Sequence, residues 1–183
     1  MADLTADLTD KTVAIIAVDF VEDAELTTPR DALREMGAAV QVFSPDGSPI
    51  QAAEGDTEPT RKIEVHGTFG DVDVDQIDAL VVPGGTVNAD KLRVDPTAQA
   101  LVRQVAGAGK PLAVICHGPW LLVSAGLVEG RRLTSYPSLA PDIENAGGSW
   151  VDEAVVIDQN LITSRNPGDL DAFVGALADA LSD

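Results

Sequence analysis

Apolar positions along the chain change their period several times, and each change marks an element. Thr12–Val18 is a continuous run rich in branched residues without alternation, the pattern of a strand buried on both faces. The spacing over Leu26–Met36 predicts a helix stopped by Gly37. Val40–Phe43 predicts a second strand, ended by the turn signals Ser44-Pro45-Asp46-Gly47. Residues 47–75 are polar and broken, with weak strand signals at Lys62–Val65 that suit a hairpin. Alternation resumes with a strand at Ala79–Val82 that runs into Pro83-Gly84-Gly85. Pro96–Ala106 predicts a helix with Asp95 as N-cap, Pro96 at its first position and Gly107 or Gly109 past its end. Leu112–Ile115 is a further strand, followed at once by Cys116-His117-Gly118 and a helical run to about Ala125. Short strands are predicted at Leu133–Ser135, Val155–Ile157 and Leu161–Thr163, the last two joined by an Asp158-Gln159-Asn160 turn. Gly168–Leu181 closes the chain as an amphipathic helix. Continuous apolar strands alternating with helices predict an α/β fold, with a parallel sheet covered on both faces. No repeat or linker divides it: residues 1–10 read as an acidic tail and 11–183 as one domain.

Composition narrows the function classes. The 183 residues are 45% apolar, enough for one sizeable core. Against 12 Lys and Arg stand 30 Asp and Glu, a net charge of −18 that repels phosphates and excludes a nucleic-acid or anionic-membrane binder. Asp outnumbers Glu by 21 to 9 and Arg outnumbers Lys by 8 to 4. This bias fits either an ordinary solubilising surface or a salty, halophilic cytoplasm, where repulsion is screened over about 3 Å at 1 M salt. No apolar run is long enough for a membrane span, and the acidic start MADLTADLTD lacks the order of a secretory signal, so the expected location is cytoplasmic. A single cysteine, Cys116, rules out an intrachain disulfide and cannot make a thiolate zinc site; no metal or cofactor is expected.

In open α/β sheets, sites form where strands end at their carboxyl edge. Three segments end there with unusual residues: Asp19–Glu25, Pro83–Asp90 and Cys116–Trp120. The third has the layout of a nucleophile elbow, in which a sharp strand-to-helix turn lifts the nucleophile out of the sheet. Gly118 supplies the glycine two residues after the nucleophile, but Val114 stands where a second glycine is usual. A thiol at a helix N-terminus is favoured as thiolate, and the backbone N–H groups there suit an oxyanion. The competing reading is an inert core thiol, since free cysteine is among the most buried residue types. His117 makes a dyad with Cys116 only if a strained elbow turns both side chains to one cleft, because neighbours in a strand face opposite ways. The other histidine, His66, reads as a loop residue. Gly84 and Gly85 are either a plain turn or backbone donors beside a substrate. Glu22, Asp23 and Glu25 either complement a helix dipole or act in the site.

Four segments in order carry a resemblance: Val18–Leu26, Ala79–Gly85, Val114–Pro119 and Thr163–Leu170. Together they resemble the PfpI intracellular protease-like family of the class I glutamine-amidotransferase-like superfamily. The resemblance implies a flavodoxin-like three-layer sandwich with a mostly parallel central sheet and Cys116 on a nucleophile elbow. It implies a carboxylate beside the thiol at Glu25, and an acid from a neighbouring subunit that orients His117, which maps onto Asp90. It therefore also implies a homo-oligomer, a dimer or larger ring, whose contacts this acidic surface would make salt-dependent. The His-x-Glu pair that completes true glutamine amidotransferases is missing after Val151, which argues against glutaminase activity.

Three functions follow from the resemblance. In the first, Cys116 attacks a small dicarbonyl such as methylglyoxal, or its adduct with an amine. Gly85 and His117 N–H groups hold the oxyanion, and His117 or Glu25 moves the proton. In the second, Cys116, His117 and Asp90 form the triad of a peptidase. In the third, the protein is a stress-response redox sensor whose oxidised Cys116 is stabilised by Glu25. Trp120 and Tyr136 are candidate walls that narrow the cleft, which favours the first, a deglycase or glyoxalase; Trp120 suits core packing equally well.

Overall fold

The computed structural model describes residues 6–182. The chain runs β1 (Thr12–Ile16), β2 (Val21–Glu22), α1 (Asp23–Glu35), β3 (Ala39–Ser44), β4 (Ile50–Glu54), β5 (Glu58–Ile63), β6 (Gly67–Thr68) and β7 (Ala79–Val82). It continues through α2 (Thr86–Val94), α3 (Pro96–Gly107), β8 (Leu112–Ile115), α4 (Pro119–Ala125), β9 (Arg132–Leu133), α5 (Ala140–Asn145), β10 (Ser149–Trp150), β11 (Val155–Asp158), β12 (Leu161–Ser164) and α6 (Leu170–Ser182).

The main sheet has the order β11-β12-β8-β7-β1-β3-β6. Every pair is parallel except β11–β12, a hairpin turned at Gln159 with φ +55. The unalternating apolar strands are explained by two cores, one per face. Val13, Ile15, Val81 and Ile115 join one with Leu26, Leu33, Phe173 and Leu177 from α1 and α6. Ala14, Ile16, Leu80 and Val114 join the other with Leu92, Leu101, Val105 and Leu122 from α2, α3 and α4. The result is the expected flavodoxin-like three-layer arrangement. Connections run one way from β1 to β3 and the other way from β1 to β7, so the switch point of the sheet lies beside β1. No helix among the described residues is long and apolar enough to cross a membrane.

Several expectations change. The first strand stops at Ile16, two residues early, because the chain turns there to form β2. The broken segment 47–75 contains a full antiparallel hairpin, β4–β5, whose first strand also pairs with β2. The turn at Pro83-Gly84-Gly85 leads at once into a helix that the apolar pattern does not predict: α2 begins at Thr86. Its start is silent in the sequence because Gly85, at φ +89, offers no capping side chain. The strand expected at Leu133–Ser135 is two residues long and pairs outside the main sheet, β9 with β10. Of the supposed acidic tail, residues 1–5 lie outside the described residues, while Leu8 is fully buried and its N–H donates to Met36 O at 2.8 Å. Asp95 caps α3 as expected, with Oδ1 accepting from the N–H groups of Thr97 and Ala98.

Candidate active site

The carboxyl ends of β1, β7 and β8 meet in one cleft of about 270 Å³. Glu22, Glu25, Gly85, Cys116 and His117 line it, together with Gly55, Asp56, Thr86, Tyr136 and Pro167. A larger cleft of about 470 Å³, beside Asp19, Asp46, Lys91 and Val94, holds no cysteine, no histidine and no buried ionisable group.

Cys116 sits one residue beyond β8 at φ +62, a conformation that costs a non-glycine residue of order 1–3 kcal/mol and concentrates at functional sites. Its backbone is over-determined, which holds it there: the N–H donates to Ser164 O at 3.0 Å and the carbonyl accepts from Tyr136 N at 2.8 Å. Gly118 closes the elbow. A Cβ at that position would lie 2.8 Å from Val114 Cγ1 and 2.9 Å from two carbonyl oxygens, those of Ile115 and Val82. The Gly118 N–H is committed to Ile115 O at 2.9 Å, so it is no oxyanion donor. The N–H groups of Gly85 and His117 are aimed at the Cys116 sulfur.

Glu25 is the third residue of α1 and is fully buried. Its Oε2 accepts from Gly84 N at 2.9 Å; its Oε1 is buried without a hydrogen-bond partner among the described residues. Gly84 permits the approach of acid and thiol, since a Cβ there would stand 2.5 Å from Glu25 Oε2 and 2.6 Å from Cys116 Cβ. Burial pushes the Glu25 carboxyl up to about 8, against the opposing contacts with Cys116 and Gly84. Burial also pushes the Cys116 thiol up, and an ionised Glu25 adds to it, while the two backbone N–H groups pull the other way. At neutral pH, therefore, Glu25 holds its proton and faces the sulfur as a donor, the state that tolerates a thiolate.

The elbow does turn His117 into the same cleft. Its Nδ1 lies 3.3 Å from Cys116 Sγ and its Nε2 3.4 Å from Thr86 Oγ1. Tyr136 stacks on the ring at 4.5 Å and Trp120 meets it edge-on at 5.5 Å. Burial lowers the His117 pKa, and the charge of Asp56 works against that. Trp120 is half-buried outside the cleft lining, held by Asp142 at 2.8 Å from Nε1 and by the Arg93 guanidinium over its ring at 5.2 Å. It braces the histidine from behind. Glu22 lines the cleft and accepts from Gly55 N at 3.0 Å, which ties the β4–β5 turn to the site. Asp90 is exposed on α2, and among the described residues no hydrogen bond joins it to His117. His66 lies in an exposed loop, its Nδ1 accepting from Val42 N at 3.0 Å.

Three contributors were missed by sequence reasoning. Asp56 and Thr86 lie in the unreadable hairpin and at the silent start of α2. Asn88 is fully buried; its Oδ1 accepts from Val18 N at 2.8 Å and its Nδ2 donates to the carbonyls of Pro83 and Gly84. A lone Asn inside an otherwise ordinary helical turn gives no signal, but here it staples the end of β1 to the Gly84 loop. Asn88→Ala leaves the Val18 N–H and the Pro83 carbonyl unpaired, while Gly84 O keeps Glu22 N at 3.3 Å, and a loss of about 3 kcal/mol is expected in urea unfolding. A loss under about 1 kcal/mol would mean that the loop finds other partners.

The profile of the DJ-1/PfpI family matches residues 11–180. A deglycase of Pyrococcus abyssi is 42% identical over 88% of this chain and 94% of its own length. The protein/nucleic acid deglycase 2 of Escherichia coli is 36% identical over 89% of this chain and 93% of its own. Among solved structures, a two-domain protein from Anabaena variabilis, with DJ-1/ThiJ/PfpI-like and ferritin-like domains, matches with TM-score 0.88 and 34% identity over 93% of this chain. This chain spans about half of that protein, 48% of its length.

Proposed function

The chain belongs to the DJ-1/PfpI family, and from that membership we propose that it is a cysteine-dependent deglycase or glyoxalase acting on methylglyoxal-type dicarbonyls and their amine adducts. The observation that carries the reading is a nearly buried thiol in a small cleft, faced by a protonated carboxyl, a histidine and two backbone N–H groups.

Cys116 gives its proton to His117 and its sulfur bonds the aldehyde carbon, C1. The Gly85 and His117 N–H groups hold the oxygen as charge develops on it, and the oxygen takes the proton to complete a hemithioacetal. Glu25, with a pKa of about 8, is ionised in a fraction of the molecules at working pH, and in that form it takes the C1 hydrogen as a proton and returns one to C2. That transfer leaves a thioester on Cys116. Water cleaves the sulfur–carbon bond, releasing the hydroxy acid and restoring the thiol. From a glycated amine, the same attack expels the amine with a proton from His117. Net hydration balances both routes, with no outside oxidant or reductant.

The size of the cleft favours this chemistry over peptide cleavage, because about 270 Å³ beside a residue only 6% exposed suits a small carbonyl better than a polypeptide backbone. The same reading places the protein in the cytoplasm as a homo-oligomer that salt strengthens by screening like charge between acidic surfaces. Asp90, exposed on α2, then faces a neighbouring subunit.

The test offers the protein methylglyoxal, N-acetyl-lysine pre-reacted with methylglyoxal, and a fluorogenic peptide. Dicarbonyl loss matched by lactate, recovery of the free amine and an intact peptide are expected. Peptide cleavage without lactate would replace this reading by a peptidase.

A further inference from the structure

We infer that Asp56, through the hydroxyl of Thr86, sets which nitrogen of His117 carries the proton and so readies Nδ1 to accept the proton of Cys116. The hydrogen-bond chain runs through a single subunit. Asp56 Oδ1 accepts from Thr86 N at 2.6 Å and Oδ2 from Thr86 Oγ1 at 2.9 Å. A hydroxyl has one hydrogen, and here the carboxylate takes it. Toward His117 Nε2, at 3.4 Å, Thr86 Oγ1 then offers only a lone pair. The neutral ring answers with its hydrogen on Nε2, which leaves the Nδ1 lone pair facing Cys116 Sγ at 3.3 Å. Without the carboxylate the hydroxyl is free to reverse, donating to Nε2 and forcing the hydrogen onto Nδ1. In that tautomer His117 cannot accept the thiol proton.

The placement of Asp56 serves this contact. It sits in the β4–β5 turn at φ +70, uncommon for a residue with a side chain, and Glu22 clamps the neighbouring Gly55 N–H. The other titratable groups around the ring are Cys116, Glu22 and Glu25 in the cleft, Tyr136 stacked on one face, and Arg93 beyond Trp120. Among the described residues, only Thr86 hydrogen-bonds Nε2. Asp56 is thus a positioning residue that acts on His117 from within the chain, through Thr86. The inference rests on Cys116 and His117 acting as nucleophile and base in the proposed reaction.

Asp56 also accepts from the first N–H of α2, a purely structural service, so the variants must separate the two roles. Thr86→Val removes only the hydroxyl, Thr86→Ser restores it, and Asp56→Asn keeps a carbonyl oxygen for the N–H but loses the charge. Three readouts are used: lactate formation from methylglyoxal, the pH profile of Cys116 alkylation by iodoacetamide, and NMR titration of the His117 ring. The chain has two histidines, so the His117 signal is the one that survives in His66→Gln. In Thr86→Val, kcat is expected to fall about tenfold to hundredfold with KM within about twofold, the scale of a misplaced general base. Alkylation at neutral pH falls in parallel, and Thr86→Ser recovers both. In Asp56→Asn the imidazolium loses a stabilising charge, so the His117 titration and the acid limb of alkylation move to lower pH.

Thr86→Val with wild-type alkylation, or Thr86→Ser as impaired as Thr86→Val, would overturn the inference. A His117 titration unmoved by Asp56→Asn but moved by Asp90→Ala would hand the role to Asp90. If wild type forms no lactate while alkylation and the titration still respond as described, the proposed reaction fails and the relay stands.

Discussion

Cys116→Ala is expected to bring lactate formation down to the rate of solvent alone, a fall in kcat of about 10³-fold or more, while the fold survives. Every step of the proposed route passes through a bond to this sulfur, and no second thiol is available in the chain. Ala accepts the elbow no better than Cys, because φ +62 is equally strained for both, but it fits without a clash. The elbow is held by backbone contacts to Ser164 and Tyr136, which Ala retains. Unfolding in urea should therefore change by less than about 2 kcal/mol, small against the loss of activity. Cys116→Ser sharpens the test: it preserves shape and hydrogen bonding, yet its alcohol stays neutral at a pH where a thiol partly ionises. Serine should be nearly as inactive as alanine. Undiminished dicarbonyl loss in both would remove Cys116 from the reaction and leave the cleft without a nucleophile.

Why this cysteine was legible and its relay was not follows from how each is encoded. The main sheet announced itself because strands buried on both faces must be apolar throughout, as in Thr12–Ile16 and Leu112–Ile115. Cys116-His117-Gly118 stood out because it interrupts such a run at its carboxyl end, where an elbow needs a small residue and a helix must follow. Glu25 was visible by position, but its burial was not: the same acidic first turn in α1 holds Asp23, which pairs with Arg61 at 2.9 Å. The difference lies in which side of the helix meets Gly84. Asp56 could not be found at all. It joins Thr86 across thirty residues of chain, from a hairpin with one mostly exposed strand. A polar turn residue looks the same whether it faces water or a catalytic helix. Asn88 and the start of α2 were hidden for the same reason, since the groups that satisfy them come from other segments.

Glu25→Gln is expected to abolish the pH dependence that this carboxyl imposes on stability. Its pKa is about 8 in the folded chain against 4.5 for the ordinary group, so the native state binds more protons between those values. Unfolding free energy must then fall as pH rises from about 4.5 through 8, by on the order of 5 kcal/mol from this group. Below that window both states are protonated and the cost vanishes. Gln is neutral throughout, so the variant should be more stable than wild type near about pH 9 and close to it near about pH 5. Chemistry moves the other way. The Gln amide can still donate to a thiolate, so alkylation of Cys116 at neutral pH is retained. It cannot take a proton from C1 or return one to C2, and lactate formation should drop by about 10²–10⁴. Above pH 8 the wild-type carboxylate opposes the thiolate, whereas Gln does not, so alkylation should climb more steeply in the variant. A wild-type stability that stays level between about pH 5 and 9 would mean that Glu25 ionises as if exposed. Its unpartnered Oε1 would then be reaching water, and the proton shuttle would lose its base.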